Sequence, residues 1–388
     1  MPPRFFMLFA FSLVAALHAY IGWRILPDLN APSWVLVVGI IALVISAMLV
    51  PAGLLARGIK RQPLADRVGW IGLLAMGLFS SLLVLTVARD ALLLGAALIG
   101  AGNGTLIAWS ARAVPVVALL VTLIGFVNAR RVARVVRVDV PIADLPPALH
   151  GFSIAQISDI HVGPTIKRGY LAAIVERVNS LKPDLIAVTG DLVDGSVAQL
   201  RHHTAPLADL AARHGTYFVT GNHEYYSNAP AWIAEVQRLG LTVLLNEHVL
   251  LDHYDATGKS ADRAQLLVAG VTDFTAHHFD ASQRSDPAKA IAGAPDGIAL
   301  KLLLAHQPRS AEAAASAGFD LQLSGHTHGG QFFPWNLFVP LQQPYTAGLH
   351  RLRQLWVYTS RGTGYWGPPK RFGAPSEITY LRLIPARC

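Results

Sequence analysis

Two different hydrophobic patterns divide the chain. Early on come four long apolar runs, at residues 5–25, 34–56, 69–88 and 113–129. Each is roughly as long as a helix that crosses a hydrocarbon core, and the first three are nearly free of charge. They predict four membrane-spanning helices, because such runs in series are rare among the buried helices of soluble proteins. Residues 91–109 are also uncharged, but Gly95, Gly100, Gly102, Asn103 and Gly104 interrupt them close to the next run, so this stretch reads as an interfacial or re-entrant segment. From about Leu145 the runs shorten. Residues 152–157, 185–189, 217–220, 241–245, 265–269, 302–305, 319–323 and 355–358 read as strands, and 171–181, 197–213 and 231–239 as helices between the earlier ones. The polar stretches 252–264 and 277–294 read as long surface loops. The expected organisation is a transmembrane region over 1–137, a connector over 138–150 and an α/β domain over 151–388, long enough for one sizeable core.

Charge sharpens this division. Through Val140 there are twelve Lys or Arg against four acids, whereas the remainder has twenty of each, so the first part carries the whole net charge of +8. Histidine is distributed the other way, with His18 in the first part and fourteen beyond it. Arg57, Lys60, Arg61 and Arg67 lie between the second and third runs, and Arg130, Arg131, Arg134 and Arg137 follow the fourth. Cytoplasmic loops hold the excess of Lys and Arg, so four spans would put both groups, and the domain after them, on the cytoplasmic side, as in a bacterial inner membrane. The first run also has a signal-peptide reading through Arg4, but no clear Ala-x-Ala site follows it. The arginines after the fourth run read as a juxtamembrane lipid anchor rather than a nucleic-acid patch, and the net-neutral remainder offers no footprint for DNA or RNA. The single cysteine, Cys388, excludes an intrachain disulfide.

The candidate chemistry lies just beyond the short apolar runs. Asp159-Ile160-His161, Gly190-Asp191-Leu192-Val193-Asp194, Gly221-Asn222-His223-Glu224, His306-Gln307 and Gly325-His326-Thr327-His328 supply carboxylates, an amide and imidazoles but no thiol. Such a mixed nitrogen and oxygen set suits borderline divalent ions such as manganese, iron or zinc, and it excludes a thiolate zinc finger or an iron–sulfur cluster. Asp159, Asp191, Asn222, His306 and His326 each follow a predicted strand, the place where α/β sheets gather ligand sites. Taken singly, each could be a loop cap or a solvated turn residue.

In that order the five motifs resemble those of the calcineurin-like metallophosphoesterase superfamily, over residues 151–383. The resemblance implies a two-metal hydrolase built as a β-sandwich flanked by helices. It implies that Asp159, His161 and His328 hold one ion and Asn222, His306 and His326 the other, with Asp191 between them. His223 then matches the catalytic histidine and Asp194 the acid that orients it. The segment Tyr358-Thr359-Ser360-Arg361-Gly362-Thr363-Gly364 is similar to a branch with membrane-linked members, including relatives of UDP-diacylglucosamine pyrophosphohydrolases. The expected activity is hydrolysis of a phosphodiester or pyrophosphate bond rather than a monoester, on a lipid- or nucleotide-linked substrate.

Independently of any family, two divalent ions roughly 3.5–4 Å apart can lower the pKa of a shared water and neutralise phosphoryl oxygens while it attacks in line. The alternatives are a membrane sensor or scaffold that binds ligand without hydrolysis, and a membrane-tethered nuclease. Arg361, Lys370 and Arg371 are candidates for substrate-phosphate contact, with an ordinary solvated loop as the other reading. Gly362-Thr363-Gly364-Tyr365-Trp366-Gly367 spells a dinucleotide fingerprint, but Pro368 and Pro369 stand where its helix must begin, so it reads as a glycine-rich loop near the ions. Tyr225, Tyr226, Tyr365 and Trp366 read as pocket, lipid-interface or core residues. The pairs His202-His203 and His277-His278 read as surface residues.

Overall fold

In the computed structural model the described residues are 4–59, 61–254 and 263–386. Lys60, Cys388 and the 255–262 part of the expected 252–264 loop lie outside them. They fall into two units, one running to Arg130 and including Gly367–Phe372, the other running from Arg131 to Trp366 and resuming at Gly373.

The first unit is built on α1 (Arg4–Ile25), α2 (Ser33–Leu55), α3 (Leu64–Leu98) and α4 (Gly104–Arg130), four helices long and apolar enough to cross a membrane. A Cβ on Gly53 would lie 2.6 Å from the Gly72 Cα, so only glycine allows α2 and α3 this approach, the usual device where apolar helices pack inside lipid. Several polar groups in this unit are paired. Arg24 and Asp90 lie 2.9 Å apart, the Tyr20 hydroxyl donates to Asp90 (2.6 Å), and Arg89 meets Asp28 at 2.5 Å.

The expected interfacial segment at 91–109 is not a separate element. Residues 91–98 continue α3 and 104–109 begin α4, because one glycine inside a helix is tolerated whereas the cluster at 100–104 ends it. Lys370 and Arg371, expected as loop cations for phosphate, are buried instead: Lys370 Nζ donates to the Gly77 carbonyl (3.1 Å) and to Ser81 Oγ, and the Arg371 amide donates to the Gly125 carbonyl (2.8 Å).

The second unit holds two six-stranded sheets. Its strands are β1 (Arg134–Ile142), β2 (Ser153–Ile157), β3 (Leu185–Val188), β4 (Thr216–Phe218), β5 (Thr242–Val243), β6 (Glu247–Tyr254), β7 (Arg263–Gly270), β8 (Leu300–Leu304), β9 (Leu321–Ser324), β10 (Gly348–Leu352), β11 (Leu355–Thr359) and β12 (Glu377–Pro385). The order is β1-β12-β2-β3-β4-β5 in one sheet and β10-β11-β9-β8-β7-β6 in the other. β2 to β5 run parallel, as do β7, β8, β9 and β11.

One core joins the sheets: Ile154, Leu185, Leu381 and Leu383 from the first pack with Leu266, Leu302, Leu304, Leu321 and Leu323 from the second. Leu303, one residue out of phase with Leu302, belongs to a second core with Ala290, Ala311 and Ala314. Both faces of β8 are therefore covered, which explains its three consecutive leucines, 302–304. Each such fully buried side chain contributes about 1.5–3 kcal/mol.

The helices of this unit are α5 (Arg168–Ser180), α6 (Val197–Thr204), α7 (Asn222–Tyr226), α8 (Ala229–Arg238), α9 (Pro287–Ile291) and α10 (Ala311–Ser316). On α5, Leu171, Ile174, Val175 and Val178 form the buried stripe expected of an amphipathic helix.

Several boundaries differ from the sequence reading. Residues 134–142, divided between membrane region and connector, form β1, paired in parallel with β12 over nine positions. The expected 197–213 helix stops at Thr204 and passes into a 3-10 turn at Pro206. The described ends of the expected 252–264 loop belong to β6 and β7, and the 277–294 loop contains α9.

Candidate metal centre

Five strand ends supply the candidate ligands. Asp159 lies two residues beyond β2, Asp191 three beyond β3, Asn222 four beyond β4, His306 two beyond β8 and His326 two beyond β9. The turns that bring them together are strained: Asp159, His161, Asp191, His326 and His328 all have left-handed φ, between 51° and 69°. Non-glycine residues rarely adopt this region, and such strain persists where the surrounding structure imposes it, typically at functional sites. Glycine makes the close approach possible, since a Cβ on Gly325 would lie 2.0 Å from Ser158 Oγ and 2.1 Å from Asp159 Oδ2.

Two acid–histidine groups result. In one, His161 Nε2 and His328 Nε2 are 3.1 Å apart, with Asp159 Oδ1 3.5 Å from the latter. In the other, His306 Nε2 lies 3.2 Å from Asp191 Oδ2 and 3.2 Å from His326 Nδ1. Asp191 Oδ2 is also 3.8 Å from His161 Nε2, so this one carboxylate faces both groups. His306 Nδ1 donates to the Thr189 carbonyl (2.7 Å), which fixes the tautomer and leaves Nε2 facing the site. Asn222 Oδ1 is buried and has no hydrogen-bond partner among the described residues. An orphaned amide oxygen beside converging imidazoles and carboxylates is the donor set a pair of divalent ions requires, so these residues fit that cofactor.

A third group stands beside these two. Asp194 Oδ1 is 2.5 Å from His223 Nδ1 and 3.4 Å from His161 Nδ1, and His223 Nε2 is 4.0 Å from Asp191 Oδ2. Burial alone would raise the Asp194 pKa, but His161 and His223 hold it well below the usual carboxylate range. Burial likewise opposes the protonation of His223, yet Asp191 and Asp194 raise its pKa above the ordinary histidine value. Burial also pushes Asp159 up, whereas His306 and His223 overcome burial at Asp191 and hold it well down. Burial and then the charge of His306 bring His326 down to about 3.

All nine residues singled out in the sequence thus lie in one neighbourhood. The sequence reading missed Glu224. This buried side chain accepts from the amides of Gly221 (2.7 Å), Leu192 (2.8 Å) and Asp191 (2.9 Å), so it clamps the turns that carry Asp191 and Asn222. Its signal was its place three residues after Gly221, the position of a capping carboxylate. The aromatic residues weighed in the sequence divide between a rim and the core. Tyr226 and Trp366 stand edge-on to the His223 ring at 5.2 and 5.7 Å, and Phe279 lies 5.6 Å from Tyr226. Tyr225 and Tyr365, weighed with them in the sequence, are buried. The glycine-rich loop packs under the Asp159 turn: the Thr363 and Gly364 amides donate to the Ser158 (2.7 Å) and Asp159 (3.1 Å) carbonyls. Arg361 pairs with Glu377 at 2.9 Å.

Comparison with known proteins agrees with this geometry. A family model described as calcineurin-like phosphoesterase matches residues 152–330. A Bos taurus protein named "Transmembrane protein with metallophosphoesterase domain" is 42% identical over 281 residues, covering 69% of this chain and 62% of its own length. An uncharacterized metallophosphoesterase of Helicobacter pylori is 39% identical over 237 residues, covering 60% of each chain. The match therefore spans less than two thirds of the length of these two relatives. The uncharacterized metallophosphoesterase YkuE of Bacillus subtilis is 30% identical over 247 residues, covering 62% of this chain and 81% of its own.

Proposed function

The chain belongs to the calcineurin-like phosphoesterases, and from that premise we propose that it is a membrane-anchored, two-metal hydrolase of a phosphodiester or pyrophosphate bond. The observation that carries this reading is the placing of Asp191 Oδ2, 3.2 Å from His306 in one ligand group and 3.8 Å from His161 in the other. Asp159, His161 and His328 would hold one ion, Asn222, His306 and His326 the second, and Asp191 both. Manganese, iron and zinc suit these donors. When bound, such a pair neutralises phosphoryl oxygens and acidifies a water for in-line attack.

The remaining chemistry belongs to the chain. His223, its Nδ1 proton held by the ionised Asp194, carries a second proton on Nε2. That proton passes to the leaving oxygen as the P–O bond breaks, so the leaving group departs as an alcohol or as a phosphate protonated on that oxygen. Asp194 fixes the ring and stabilises its charged form. Glu224 positions Asp191 by holding backbone amides, without touching substrate.

The substrate class proposed is lipid- or nucleotide-linked, supported by the membrane helices and by the Tyr358–Gly364 segment. The domain is placed on the cytoplasmic face of a bacterial inner membrane on the strength of the arginines around residues 57–67 and 130–137. The membrane region is taken to close with α4 and the hydrolase domain to begin with β1.

The test is a hydrolysis panel on purified full-length protein with manganese, comparing bis-p-nitrophenyl phosphate, p-nitrophenyl phosphate and a UDP-linked lipid. The diester or pyrophosphate substrates should turn over faster than the monoester, and Asp191→Asn should abolish the activity. Equal rates for the variant and the parent would assign the hydrolysis to a contaminant and remove the proposal.

A further inference from the structure

Beyond the ligand His328, the chain forms a loop whose surface does not suit a water-facing domain. Phe333, Trp335, Leu337, Phe338 and Leu341 are all exposed, by 42–80%. Trp335 and Leu337 lie on one short 3-10 turn, Trp335–Leu337, and Leu341 on a second, Val339–Leu341, with Phe333 and Phe338 beside them; residues 331–349 contain no Lys, Arg, Asp or Glu. Single exposed apolar residues need no explanation, but five large ones within nine positions mark a binding surface.

The loop is not a frayed end. Gln331 and Trp366 exchange two hydrogen bonds of 2.8 Å at one base. At the other, Arg309 Nε donates to the Gln342 carbonyl (3.1 Å) while its guanidinium lies over Phe274.

We propose that this loop, residues 333–341, seats in the surface of the lipid bilayer. Three observations favour lipid over another protein as the occupant. The chain carries four helices suited to crossing a membrane, and only residues 131–133 separate the end of α4 from β1. Three residues reach at most about 10 Å, so the chain enters this domain within a short distance of the end of its last apolar helix. The exposed set is tryptophan, phenylalanine and leucine without charge, the composition that enters the acyl boundary, and the exposed cation Arg309 stands at its base, where anionic headgroups would lie. Through Gln331 the loop is tied to Trp366, which packs on His223. If the phosphoesterase reading holds, a phosphate borne by a membrane lipid would enter beside this rim.

The test places single cysteines in a Cys388→Ser background: Leu337→Cys and Leu341→Cys in the loop, and Glu312→Cys as an exposed control on α10. Both loop positions are exposed, so the substitutions disturb no packing. The full-length protein is reconstituted in phospholipid nanodiscs, with and without brominated acyl chains, and labelled with a fluorescent thiol probe. Probes at 337 and 341 should be quenched by brominated lipid. In nanodiscs these cysteines should react with a membrane-impermeant maleimide at least about tenfold more slowly than the one at 312, the factor expected from burying one leucine-sized side chain. Equal reactivity at 337 and 312 would overturn the proposal. So would protection without lipid quenching, which would identify a second copy or another protein as the cover. Neither readout involves hydrolysis, so failure here leaves the phosphoesterase reading standing.

Discussion

If His223 donates the proton that the leaving oxygen needs, its loss should matter in proportion to how badly that oxygen needs one. His223→Ala removes the donor but none of the seven proposed ligands, so bound metal should stay at the parental level. General-acid catalysis contributes about 10²–10⁴ in rate, and a poor alkyl leaving group should show a loss in that range. A p-nitrophenolate, stable without a proton, should show a much smaller one. Asp194→Asn gives the graded version. It leaves the imidazole in place but replaces a charge-assisted contact of 2.5 Å, of a kind contributing about 1.5–3 kcal/mol. That corresponds to roughly 10- to 150-fold in the favoured protonated ring, and the same preference for poor leaving groups should follow. The double variant should cost little more than His223→Ala alone, because the two side chains act as one unit. The assay is turnover of an alkyl and a nitrophenyl phosphodiester, with metal content measured on the same preparation. Equal losses on both substrates, or activity that falls only as far as metal does, would refute the assignment of His223 as the acid.

Three further outcomes follow from the same geometry. Asp191→Asn should lower bound metal at both positions, measured by elemental analysis, because its Oδ2 faces both ligand groups; loss of a single equivalent would contradict the shared role. Gly325→Ala forces a methyl to within 2.1 Å of Asp159 Oδ2 and should cost about 1–3 kcal/mol by overpacking, read as a lower unfolding midpoint together with reduced metal binding. His214, whose Nε2 faces His253 Nδ1 at 3.0 Å, has its pKa lowered by burial and then by Arg213. The unfolded chain therefore binds that proton more readily. Stability from this site is complete above about pH 6.5 and declines as pH falls from there toward the lowered folded value. Guanidinium midpoints at pH 7.5 and 5.5 should differ less in His214→Gln than in the parent, and an equal difference would exclude this contribution.

The site was more legible than the sheets around it. Five of the proposed ligands follow short buried strands, such as the one ending in Leu302 to Leu304, apolar because both its faces are covered, so the strand end and the chemistry announced each other. Three of the edge strands, β1, β6 and β10, gave no such signal. β1 reads Arg-Val-Val-Arg-Val-Asp-Val, an alternation concealed by its continuity with the arginines after α4, and β6 and β10 mix histidine and charge because part of each stays in water. Glu224 was visible only as a capping carboxylate three residues after Gly221; its bonds to the Asp191 and Leu192 amides, distant in the chain, were not. Lys370 and Arg371 misled in the opposite direction. Basic residues after a glycine-rich loop suggest phosphate, but the Lys370 ammonium donates to the Gly77 carbonyl and the Arg371 side chain is buried.

The position of β12 has a consequence for biosynthesis. It lies between β1 and β2, so two strands made early remain apart until residues 377–385 leave the ribosome. The Asp159 turn also waits for Thr363 and Gly364 to supply the amides that support it. By then the four apolar helices have long been available to the insertion machinery. On the proposed reading, ions would be captured only after residues 377–385 have joined the sheet, and a nascent chain stalled before β12 would be anchored but poor in metal.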